Sequence, residues 1–97
     1  MANPEQAYFV YLLECSGRRL YTGITTDVSR RMEEHRLGKK GARFTRANPP
    51  SRLLAALQVS GRSEALKLEA ALKRMPRARK LLWAEQHVVA TPMPPPS

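Results

Sequence analysis

Two short segments, Tyr8-Phe9-Val10-Tyr11-Leu12-Leu13 and Leu20-Tyr21-Thr22-Gly23-Ile24-Thr25, most limit what this chain can fold into. Each reads as a β-strand with a tyrosine near its middle, and Ser16-Gly17-Arg18 between them supplies turn chemistry. Antiparallel pairing through so short a loop brings Tyr11 and Tyr21 close together. Whether they share a face depends on register, which the residues leave open. A basic helix carrying Arg31 and His35 follows at once. Two phenols, a guanidinium and an imidazole so close in the chain make a candidate site for handling phosphate.

Thr25-Thr26-Asp27 offers a hydroxyl and a carboxylate to cap a helix, which is predicted over Val28–Leu37 and stops at Gly38. Val28, Arg31, Met32 and His35 recur at helical spacing, so Arg31 and His35 lie on one face beside the apolar stripe. Residues 39–46 carry positive charge through a loop or short helix, and Asn48-Pro49-Pro50 ends it. Arg52 to Val59 reads as a third, buried strand, although its Leu and Ala also suit a helix. Ser63 is the expected cap of a helix from Glu64 to Met75, and Pro76 starts another over Arg77–Gln86. Residues 1–6 read as a flexible lead-in, 7–88 as a single domain, and 89–97 as a disordered proline-rich tail.

The chain has 97 residues, the size of one domain, and 42% hydrophobic with 26% charged residues argues against wholesale disorder. A formal charge of +9 favours a polyanionic partner, nucleic acid ahead of an anionic membrane. The excess is concentrated. Residues 30–46 hold seven basic and two acidic side chains, and Lys73, Arg74, Arg77, Arg79 and Lys80 add five with no acid between them. These blocks read as phosphate-tracking surfaces, with Arg30, Arg36, Lys39, Lys40, Arg43, Arg46, Lys73 and Arg74 as candidate contacts; a merely solvated surface is the alternative. Phe44 and Trp83 either stack on bases or pack in the core. The lone cysteine, Cys15, excludes a disulfide within the chain and fits a buried small hydrophobe in a reducing compartment. No run approaches the ~18 apolar residues of a spanning helix, so a soluble, cytoplasmic protein without a membrane partner is expected. No Cys/His cluster has zinc-ligand spacing.

Glu69 is the anomalous acid. Ala65, Leu66, Glu69 and Leu72 share one arc of the second long helix, where a carboxylate is costly unless paired or bound to a metal. It either ligates a divalent cation such as Mg²⁺, which takes one or two carboxylates beside water and phosphate, or pairs with Arg31 or Lys73, or reaches water at a boundary. Tyr11 and Tyr21 are either core residues or part of a base, and a phenol acting as base needs nearby positive charge or metal-activated water. Arg31 suits a fixed cation on the charge that develops as a phosphodiester is cleaved. His35 either donates to phosphate, positions water, or is a solvated helix histidine.

These residues in this order resemble a GIY-YIG nuclease domain in its small stand-alone bacterial form. Val10-Tyr11-Leu12 stands for the first motif and Tyr21-Thr22-Gly23 for the second, with Gly23 as its structural glycine. The family's arginine falls on Arg31, its helix His or Tyr on His35, and its metal-binding glutamate on Glu69 within Leu68-Glu69-Ala70-Ala71-Leu72-Lys73. Gly41-Ala42-Arg43-Phe44-Thr45-Arg46 also resembles the stand-alone branch. The resemblance covers about residues 7–83. It implies a compact α/β (α+β) domain with a three-stranded antiparallel sheet flanked by helices. It also implies hydrolysis of nucleic-acid phosphodiesters with one divalent metal, Mg²⁺ or Mn²⁺. On that basis Glu69 holds the metal, Tyr21 activates or orients water, Tyr11 supports the nucleophile, Arg31 stabilises developing charge and His35 assists. The chain departs from the family in lacking Gly-Ile before Tyr11. It carries Ile24 where some repair-type relatives have lysine, and it shows no clear counterpart of the C-terminal asparagine after Pro76. No fused specificity domain is read within its 97 residues.

The expected function is a metal-dependent endonuclease of low sequence specificity, with DNA the expected substrate over RNA and single-stranded or branched forms as candidate preferences. The alternative is a nucleic-acid-binding module that keeps the fold and cuts little or not at all. A basic ribonucleoprotein subunit fits the charge but leaves Glu69 unexplained.

Overall fold

Strand β1, Tyr8–Cys15, is the middle of a three-stranded antiparallel sheet in a computed structural model that describes residues 7–38 and 47–88. Val10 to Leu13 are all fully buried, because both faces of this strand are covered. Strand β2, Arg19–Thr25, pairs on one side of β1, and β3, Pro50–Val59, on the other. Gly17 (φ 71°) and Arg18 (φ 61°) make the turn between β1 and β2. Two residues at positive φ match the right-handed twist of the strands they join. The register sets Tyr11 opposite Gly23 and Leu13 opposite Tyr21, so both tyrosines stand on the same face of the hairpin.

Helix α1, Val28–Leu37, covers that face. Its start is local chemistry: the Asp27 side chain accepts from the Arg30 amide at 3.0 Å, and the Thr25 hydroxyl accepts from the Asp27 amide at 3.1 Å. Its end is Gly38 in the left-handed region, φ 70°, donating to the carbonyls of Glu34 and His35. Met32 and His35 are buried by it, and Val28 packs beside them.

Helices α2, Arg62–Arg74, and α3, Arg77–Gln86, cover the opposite face. Ala65, Leu68 and Leu72 of α2 pack with Val10 and Ile24, while Ala84 and Trp83 of α3 pack with Leu12 and Ala55. Burying a side chain such as Leu72 contributes about 1.5–3 kcal/mol. Trp83 is therefore a core-edge residue, its ring tilted on His87 at 4.7 Å. Helix α3 opens on Arg77, Arg79 and Lys80 with no acid in its first turn and no side-chain cap, a charge order opposed to the helix dipole.

Three expectations need correction. The third strand begins at Pro50 rather than Arg52, because Pro50 sits at the strand's first position, where a missing N–H is tolerated. Ser63 does not cap α2. The cap is Gly61, whose carbonyl accepts from the Ala65 amide at 3.0 Å, which places Ser63 inside the first turn. Leu66 does not share the buried arc of α2: it is exposed, and the buried stripe runs Ala65, Leu68, Leu72. Residues 1–6, 39–46 and 89–97 lie outside the described residues, and with them the expected lead-in and tail, Lys39, Lys40, Arg43, Phe44 and Arg46.

Candidate active site

Tyr11, Tyr21, Arg31 and His35 come together between the hairpin and α1. Tyr11 is fully buried, with its ring laid over Gly23. A Cβ at that glycine would fall 2.6 Å from the Tyr11 Cζ and 3.0 Å from the Tyr21 Cε1. Only a residue without a side chain lets the Tyr11 ring occupy this position. The Tyr11 and Tyr21 ring centroids are 6.2 Å apart, and the His35 ring meets both edge-on, at 5.7 and 5.0 Å. Such edge-to-face contacts add about 0.5–1.5 kcal/mol beyond burial.

The Tyr11 hydroxyl and His35 Nε2 are 2.7 Å apart in a buried hydrogen bond. Burial, then the neighbouring Arg31, pushes the His35 imidazole down to about 4, against a smaller opposing pull from Glu34. His35 is thus neutral at pH 7. Burial, followed by the adjacent Tyr21, raises the Tyr11 phenol well above its ordinary value, although Arg31 opposes the shift. Tyr11 is accordingly protonated at neutral pH. With Nε2 unprotonated it donates to His35, and its oxygen remains free to accept from the Arg31 guanidinium, which can only donate. His35 is neither a solvated helix residue nor an open phosphate donor, since only 1% of its surface is exposed.

Arg31 is half-buried and pairs with Glu34 at 3.0 Å. Burial opposes its charge, but hydrogen bonding to Glu34 and to the two tyrosines leaves its pKa raised, so the cation is permanent. Arg30 reaches the same Glu34 at 3.9 Å, and Arg36 pairs with Glu33, so each arginine of α1 is held by a carboxylate.

Glu69 occupies the rim of α2 rather than its buried stripe. Its carboxylate is mostly covered and pairs with Lys73 at 3.4 Å, the boundary and ion-pair alternatives combined. Lys73 and Arg74 themselves are exposed. Among the described residues no group of three His, Cys, Asp or Glu side chains is placed to hold a metal ion. A lone carboxylate still suits a hard cation that keeps water and substrate phosphate as its other ligands. Glu69 is the residue that would hold one. The Cys15 thiol, buried, is pushed up to about 11 by burial and then by Glu14, so it is inert at neutral pH.

A glycine pinned under a buried tyrosine, a neutral histidine on that tyrosine's hydroxyl and a permanently charged arginine beside both make up the candidate site. The chain belongs to the GIY-YIG catalytic domain family, which it matches over residues 7–81. It is similar to a UPF0213 protein of Cupriavidus pinatubonensis, 51% identical over 79 residues that span 81% of this chain and 87% of that one. A UPF0213 protein of Cupriavidus necator is 46% identical over 84 residues, 87% of this chain and 90% of the relative. The solution NMR structure of a UPF0213 protein from Bacillus halodurans superposes with a TM-score of 0.53 at 39% identity, covering 82% of this chain and 84% of that one. The fold is thus the α+β domain expected from the resemblance. GIY-YIG nucleases generally use a divalent metal and act on nucleic acid. Among the described residues no helix is long and apolar enough to cross a membrane.

Two features of the site carry no signal in the sequence: the packing of Tyr11 on Gly23, and the bond from Tyr11 to His35. Tyr11 and Gly23 are twelve positions apart, and only the strand register makes them neighbours.

Proposed function

We propose that this protein is a metal-dependent endonuclease that hydrolyses nucleic-acid phosphodiesters, DNA in the first instance, with little sequence preference. The observation that carries this reading is the convergence of Tyr11, Tyr21, Arg31 and His35 over Gly23. Arg31 supplies a fixed positive charge for the phosphoryl oxygens as charge develops on them. His35 locks the Tyr11 hydroxyl, and Tyr11 flanks Tyr21, whose phenol orients the attacking water. Because the Tyr11 phenol is held protonated, it acts as a hydrogen-bonding group rather than as the base. A divalent ion at Glu69, Mg²⁺ or Mn²⁺, would supply Lewis-acid polarisation of the phosphate and a more acidic water. The Lys73 ammonium releases Glu69 for that role by turning toward solvent, since it is exposed.

The Glu69–Lys73 pair also favours a second reading, a nucleic-acid-binding module in which Glu69 is a salt-bridge residue and no cutting occurs. Labelled single-stranded, duplex and branched DNA, incubated with Mg²⁺ or Mn²⁺, separates the two. The nuclease reading expects metal-dependent products from the parent and loss in Glu69→Ala and Arg31→Ala. Tight binding with no products under any metal sinks it, and equal cutting by parent and Glu69→Ala reveals a contaminant.

A further inference from the structure

The cations of this molecule divide into those that a carboxylate holds and those that none does. Arg30, Arg31, Arg36, Arg52, Lys67 and Lys73 each pair with a carboxylate. Among the described residues, Arg18, Arg19, Arg62, Arg74, Arg77, Arg79 and Lys80 pair with none. Six of the seven lie at the β1–β2 turn or the α2–α3 junction, and the Arg77 guanidinium, at the start of α3, donates to the backbone carbonyl of Arg18 in that turn. That crossing joins the turn, which carries Arg18 and Arg19, to the α2–α3 junction, which carries the other four. Like charges gathered without acids repel one another, and a polyanion lying across them relieves that repulsion.

The backbone of the turn adds a second sign. Arg18 has φ 61°, a conformation that glycine adopts without cost and arginine rarely takes. The position keeps an exposed cation where the fold alone would prefer a residue with no side chain. The turn also leads directly to the candidate site. Arg19 and Tyr21 are two residues apart on β2 and face the same side of the sheet, a separation of about 7 Å.

We propose that Arg18, Arg19, Arg74 and Arg77 form a phosphate-tracking surface that holds the nucleic-acid backbone on one side of the cleavage position. The surface rests on the nucleic-acid reading above and extends it to the hairpin turn. It takes the sugar–phosphate backbone without reading bases, since guanidinium contacts to phosphate carry no sequence information.

Binding of a fluorescent single-stranded oligonucleotide, measured in chelator across a salt series, tests this surface apart from any cutting. The variants are Arg18→Gly with Arg74→Ala, leaving Arg77 in place because it holds the turn; Arg62→Ala, an equally unpaired cation at the far end of α2, is the control. Glycine suits the turn's φ, so the thermal midpoint of the double variant is expected to match or exceed that of the parent. The salt slope of log K is expected to fall by about 1.4 in the double variant, roughly a 25-fold loss at 0.1 M salt for two single-strand contacts. The control should change far less. An unchanged slope in the double variant overturns the proposal, and so does an equal loss in Arg62→Ala, which would reduce the effect to net charge. The expected slope change in a parent that cuts nothing supports this surface while removing the nuclease reading.

Discussion

Helix α1 and the α2–α3 junction are both rich in arginine, yet they hold their charge in different ways. On α1, Glu33 and Glu34 tie down Arg30, Arg31 and Arg36, so Arg31, the cation of this helix beside the tyrosines, is fixed in direction. Among the described residues of the junction, Lys73 alone has a carboxylate partner, and α3 begins on cations that its own dipole disfavours. A held charge suits a site where a transition state must find its partner already oriented. Unheld charges suit a surface that follows a flexible polyanion. The same residue type therefore serves positioning in one region and attraction in the other.

Substitutions at each region can break or sharpen that contrast. The largest effect is expected at Arg31. Arg31→Ala should lower single-turnover cleavage by about 10²–10³-fold, the loss typical of one preorganised charge-stabilising group, with a smaller change in binding. An equal loss of rate and binding would place Arg31 among the tracking cations instead. Next comes acid sensitivity. The folded His35 pKa, about 4, lies below the ordinary value near 6.5, so the unfolded chain binds the extra proton first. This contribution to stability is complete above about pH 6.5 and is lost as pH falls toward 4, up to about 3 kcal/mol. Denaturant titrations should show that His35→Gln removes this part of the acid dependence; parallel curves for parent and variant would argue against a buried neutral imidazole.

Gly23→Ala should cost about 1–3 kcal/mol by forcing the Tyr11 ring off its place, and cleavage should fall beyond what the lost stability explains. Unchanged activity would mean that the Tyr11 position is not critical. The smallest effect belongs to the junction. Arg79→Glu should stabilise the fold by about 0.3–1 kcal/mol at low salt, by complementing the α3 dipole, while weakening oligonucleotide binding. Calorimetry beside the salt series reads both, and a variant that is less stable would show that the first turn of α3 does not suffer from its cations.

The elements whose limits depend on neighbouring residues are legible in the sequence. Asp27 and Gly38 bracket α1 at the expected residues, and Pro76 opens α3 as expected, because caps and proline act within a turn of where they stand. The start of α2 is less legible because a serine and a glycine offer competing caps, and the backbone takes the glycine. The arc of α2 is ambiguous at Leu66, since a helix with apolar residues on more than one side does not announce which stripe the sheet will take. At the site, the residue types and their spacing mark Tyr11, Tyr21, Arg31, His35 and Glu69. Their partners are not legible, because a hydrogen bond between residues 24 apart depends on how two elements dock.

By itself, then, the sequence determined the hairpin, the helices and the excess of positive charge and marked five candidate residues, all from local propensity, periodicity and motif spacing. Tertiary structure alone decided that Tyr11 lies on Gly23, that His35 is buried and neutral against Tyr11, that Glu69 sits at a rim with Lys73, and that Arg18 meets Arg77. Strand register and helix docking are chosen by the burial of whole faces at once, and no short stretch of sequence carries that information.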